Sequence, residues 1–76
     1  MNDAFAYILA DSTSHAIRIE KCINQLQIEC KLVPVPRQLS SDCGMCVRIN
    51  RKDRQAVRDY LSREKILFVS IHEIDH

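Results

Sequence analysis

Glycine and proline are scarce in this chain. Its 76 residues include one glycine and two prolines, and all three lie within PVPRQLSSDCG, Pro34 to Gly44. The residues that give a backbone unusual freedom or stiffness are therefore confined to one stretch, which must hold a particular shape. A dominant charge sign is lacking too. Eleven basic side chains against ten acidic ones leave a net charge of +1, which excludes a global electrostatic pull on an anionic partner. No run approaches the ~18 apolar residues of a membrane span. The N-terminal MNDAFAYILADSTSHA has no basic region ahead of an apolar one, so no secretory leader is expected and the cytoplasm is the expected compartment. Repeats and low-complexity segments are absent.

What is present suits one small soluble domain, residues 1–76. The chain is 46% hydrophobic, too apolar for a disordered segment. Residues 37–65 hold 8 basic and 4 acidic side chains. One side is thus mildly basic, and a solvated helix face accounts for most of it.

AFAYILA (residues 4–10) reads as a buried strand. DSTS then offers a helix N-cap. Ala16, Ile19, Cys22, Ile23 and Leu26 share one helical face, with Arg18, Lys21 and Gln25 opposite. IECKLVPVP alternates, with Ile28, Cys30 and Leu32 inward. Pro34 and Pro36 remove backbone donors and restrict this strand to a sheet edge. RQLSSDCG is loop. MCVRI is a third strand, with Met45, Val47 and Ile49 toward the helices and Cys46 and Arg48 toward solvent. In NRKDRQAVRDYLSREK the apolar stripe is Ala56, Val57, Tyr60 and Leu61, with Asn50 or Asp53 as cap. ILFVSIHEI is the fourth strand. The order βαββαβ predicts an α+β, ferredoxin-like fold: a four-stranded antiparallel sheet with both helices on one face.

Four cysteines occur, and in a reducing compartment a Cys pair points to catalysis or metal binding rather than to a structural disulfide. Cys22 and Cys30 fall on apolar faces and read as core. Cys43 has no apolar periodicity to explain it, and Cys46 follows three residues on. A reactive thiol needs a lowered pKa, and Arg37 and Arg48 are the candidate cations. Gly44 would permit positive φ beside the thiol, while the prolines would fix where Arg37 points. Three chemistries fit the pair: dithiol cycling, a persulfide on one thiolate with the other resolving it, or soft-metal binding. Thioredoxin is a poor comparison, because there the pair opens a helix; copper chaperones place it after the first strand. Glu20, at the border of the helix stripe, could organise the loop by bonding Arg37 or backbone donors. His15, His72 and His76 are scattered and match no zinc spacing. Phe5 and Tyr7 on the first strand evoke RNA-recognition sheets, but the third strand has no aromatic for stacking.

The chain resembles a family of small selenium/sulfur carrier-like proteins through Ser12, Thr13, Ala16, Glu20, Pro34, Pro36, Arg37, Ser40 or Ser41, Cys43 and Gly44. It departs at Asp11, where an aromatic residue often precedes the Ser/Thr pair, and Cys46 is not required in that pattern. The resemblance implies a carrier rather than an enzyme, with Cys43 as persulfide acceptor. It also implies a sulfur- or selenium-donor protein of the cysteine-desulfurase kind and an acceptor protein. No cofactor or metal is expected. The alternative is a non-catalytic interaction or regulatory module, or soft-metal binding through the Cys pair, and the edge strand offers a route to a homodimer.

Overall fold

The computed structural model describes residues 4–39 and 44–74. Its elements run β1 (Phe5–Leu9), α1 (Thr13–Gln25), β2 (Cys30–Pro34), β3 (Met45–Asn50), a 3-10 turn (Arg51–Asp53), α2 (Arg54–Arg63) and β4 (Ser70–Ile74). The sheet order is β2-β3-β1-β4, and each neighbouring pair is antiparallel. This is the ferredoxin-like arrangement. The proline-bearing strand β2 lies at an edge, where a missing N–H costs the ladder nothing.

The strand alternation sets the core. Ala6 and Ile8 of β1 stand opposite Ile49 and Val47 of β3, on the face that receives Ala16, Ile19 and Ile23 of α1 and Val57 and Leu61 of α2. Burying each such Ile or Leu is worth roughly 1.5–3 kcal/mol. Ser12 caps α1 by accepting the His15 N–H at 3.2 Å.

Several expectations need correction. Ala56 is exposed, because Val57 and Leu61 alone carry the buried line of α2. Neither Asn50 nor Asp53 caps that helix through its side chain; the Asn50 amide instead donates to Glu29 at 3.3 Å. Residues 66–69 lie outside the sheet, because β1 ends at Leu9, opposite Ser70. Cys22 and Cys30 are half-buried, not fully buried.

With its one glycine placed elsewhere, the chain ends both helices on other residues. Gln27 (φ 60°) and Lys65 (φ 56°) take the left-handed conformation. After α2, Lys65 N–H bonds Ser62 at 3.2 Å and Ile66 N–H bonds Leu61 at 2.9 Å, the closure a glycine usually provides.

Candidate functional site

The candidate site residues expected from the sequence cluster on the β2–β3 hairpin. Its ladder runs past the strands, with the Val35 N–H donating to the Gly44 carbonyl at 3.0 Å. Pro36 then opens the loop, and the Leu39 N–H returns to the Pro36 carbonyl at 3.0 Å. That turn puts Arg37 at its corner, exposed to solvent. Pro36, whose ring fixes its own φ, is the first residue of that turn and Arg37 the second. Pro34 ends β2 opposite Met45.

Ser40, Ser41 and Cys43 lie outside the described residues. The neighbour of Cys43 is placed. Gly44 is exposed and has no positive φ, contrary to expectation. A Cβ built on it meets nothing within 4 Å. Gly44 therefore starts an extended ladder instead of a left-handed turn.

Register shows what shares this end of the sheet. Leu9, where β1 stops, stands opposite Cys46 on one side and Ser70 on the other. The start of α1, the described ends of the hairpin loop and the segment entering β4 therefore lie at the same end of the sheet. Ordered amides at a helix N-terminus favour negative charge nearby.

Cys46 departs from the solvent-facing position expected of it. It does face away from the helices, but between Leu9 and Val33 it is 0% exposed. Burial pushes its thiol up to about 11. Its Sγ lies 4.0 Å from the Pro34 carbonyl. The segment from Gly44 to Cys46 is extended, whereas a disulfide three residues apart needs a tight turn that brings the Cα atoms within about 7 Å.

Glu20 does not reach Arg37. Its carboxylate accepts the Leu32 N–H at 3.2 Å, filling an outward donor on the edge strand β2. Beside it, Cys30 Sγ lies 3.3 Å from Asn24 Oδ1. Burial first, and the Glu20 charge second, raise the Cys30 pKa. Arg48 is likewise committed elsewhere, with its guanidinium 4.3 Å above the Phe5 ring. Phe5 stands at the opposite end of the sheet, beside Asn50 and Ile74. Tyr7 is 6% exposed, so β1 does not present open rings. His72 Nε2 sits 2.8 Å from Ser70 Oγ. Among the described residues no group of three His, Cys, Asp or Glu is placed to hold a metal ion, and no helix is long and apolar enough to cross a membrane.

The chain matches the family described as "Putative Se/S carrier protein-like" over residues 5–73. That is nearly its whole length, and the chain belongs to this family. Comparison with curated proteins and with solved structures gives no match.

Proposed function

We propose that this member of the Se/S carrier family carries sulfur or selenium on Cys43 and passes it between proteins, without being an enzyme in the strict sense. The observation that carries the reading is the family match across residues 5–73, which spans the whole proline-to-glycine stretch. The state of Cys46 and Cys30 supports it. One is sealed and the other is half-buried between helix and strand, and both have raised pKa values. A raised pKa keeps a thiol protonated and poorly nucleophilic near neutral pH.

In the transfer step the Cys43 thiolate attacks the outer sulfur or selenium atom of a donor persulfide or selenopersulfide. A bond forms from Cys43 to that atom. The donor's bond to it breaks, and the donor leaves as a thiolate. The proton on the outer atom stays with it, and no external oxidant is required. Discharge repeats the step, with an acceptor nucleophile attacking the outer atom and Cys43 leaving as the thiolate. Arg37, at the corner of the Pro36 turn, favours the charged thiolate. Pro34 and Pro36 stiffen the approach, and Ser40 and Ser41 shape the loop. Cys46 acts as a packing residue in this scheme and not as a resolving thiol. The donor is a protein of the cysteine-desulfurase kind, and a reducing compartment such as the cytoplasm keeps Cys43 free.

Intact mass spectrometry after incubation with a low-molecular-weight persulfide tests the reading. Wild type and Cys46→Ser should gain the mass of one sulfur, reversed by reductant, and Cys43→Ser should gain none. Equal gain by Cys43→Ser would place the chemistry on another thiol. No gain by wild type would favour the interaction-module alternative.

A further inference from the structure

The segment entering β4 has an exposed apolar side that the core does not use. Ile66 and Phe68 pack against the core. Leu67 and Val69 alternate with them and are 73% and 57% exposed. Their direction is held by backbone bonds on both sides: the Ile66 N–H to Leu61 at 2.9 Å and the Val69 N–H to Leu9 at 2.7 Å. Beside Leu67 lies a recess of about 120 Å³ lined by His15, Arg18, Lys65, Ile66 and Leu67. Among the described residues no ion pair joins Arg18 or Lys65 to an acid. Two cations with no ion pair among the described residues thus border a leucine fixed outward, at the same end of the sheet as the hairpin loop.

We propose that this recess docks a segment of a partner protein that carries carboxylates beside an apolar side chain. The apolar group would cover Leu67 and Val69, and the carboxylates would meet Arg18 and Lys65. Charge selects this occupant over a second copy of the chain. A two-fold contact through the same patch would set the cations of one copy against those of the other. That partner is assigned as the sulfur donor, an assignment that rests on the carrier reading. The docking surface itself does not.

The test titrates the intact chain with acetyl-Glu-Leu-Glu-Leu-Glu-amide, followed by amide chemical shifts, against the same peptide with lysine in place of glutamate. The acidic peptide should shift His15, Arg18, Lys65 and Leu67, less so at high salt. Arg18→Glu and Leu67→Ser should each weaken it about threefold to fivefold, while the lysine peptide should leave these amides unmoved. Four results would overturn the proposal: no shift at these residues, equal shifts with both peptides, concentration-dependent shifts without peptide, or larger shifts with phosphatidylserine vesicles.

A second arm separates the partner from the surface. Arg18→Glu should raise the KM for loading from a purified cysteine desulfurase about fivefold, with loading from a low-molecular-weight persulfide unchanged. An unmoved KM would remove the donor as the occupant. Failure of wild type to load from the small persulfide would instead strike the carrier reading and leave the peptide result to decide the surface.

Discussion

At the end of the sheet where β3 leaves through Asn50, side chains tie the connections to one another. Glu73 of β4 forms ion pairs with Arg51 at 3.1 Å and with Arg54 at 3.0 Å, joining the last strand to the start of α2. Asn50 holds Glu29, and the Arg51 N–H reaches the Ala4 carbonyl at 3.3 Å. At the end where β3 enters through Met45, the described bonds that span the connections are backbone ones, between Val35 and Gly44, Leu39 and Pro36, and Val69 and Leu9, while the Ser12 and Ser70 hydroxyls serve near neighbours in their own segments, His15 and His72. That end bears Arg37, the outward Leu67 and the cations Arg18 and Lys65. The contrast teaches a division of labour. A small domain has little stability to spare. Fastening one end leaves the other free to present a loop and a surface.

The largest expected effect tests whether the seal over Cys46 belongs to the structure or to the chemistry. Cys46→Ser buries a hydroxyl among Leu9 and Val33 and should cost about 2 kcal/mol in urea unfolding, with persulfide loading intact. Loss of loading at unchanged stability would return Cys46 to the mechanism. The thiol also predicts a pH dependence. Its folded pKa, about 11, lies above the unfolded value of 9.0, so its stabilising contribution is complete below pH 9. It falls as the unfolded chain ionises first, and it is lost through pH 11. Wild type should therefore lose stability more steeply than Cys46→Ala across that window. Parallel curves would mean that the thiol is solvated.

Breaking the fastened end should cost less. Glu73→Ala leaves Arg51 and Arg54 without their shared carboxylate, but all three side chains are partly exposed. Solvent screening limits the loss to about 1 kcal/mol. Alkylation of Cys43 should keep its native rate, because the two ends are held separately. A faster rate in Glu73→Ala would couple them and blur the contrast.

Smaller still are the backbone effects. Lys65→Gly and Gln27→Gly should each stabilise by about 0.5–1 kcal/mol, since each replaces a side chain in the left-handed region. Gly44→Ala should change stability by less than about 0.5 kcal/mol, because its added Cβ meets open space. A large loss there would show that Gly44 needs a conformation that only glycine provides.

Much of the fold was legible because alternation and helical spacing are direct consequences of one buried sheet face. Leu32 and Val47 followed from period two, Ile19 and Ile23 from the helical repeat, and the edge position of β2 from Pro34 and Pro36. What escaped depended on partners far away in sequence. Alternation placed Cys46 away from the helices but could not say that Leu9 and Val33 would close over it. The helical angle of Glu20 put it on a border, yet its partner is the Leu32 N–H of an edge strand. ILFVSIHEI read as one strand, and only the length of β1 decides that pairing begins at Ser70. Gln27 and Lys65 gave no signal of their left-handed conformation, because neither is glycine. Of the candidate site, Arg37 and the loop were legible from composition, and Cys43 from having no apolar reason to be where it is. The role proposed for it came from family resemblance.

The claim that one loop thiol carries the transferred atom can be tested by mapping that atom. Wild type loaded with a low-molecular-weight persulfide, trapped by alkylation and digested, should show the added sulfur on the peptide containing Cys43. The peptides containing Cys22 and Cys30 should be unmodified, and Cys46 should become reactive only after unfolding. Finding the added sulfur on Cys22, Cys30 or Cys46 in the native protein, with Cys43 bare, would contradict the account.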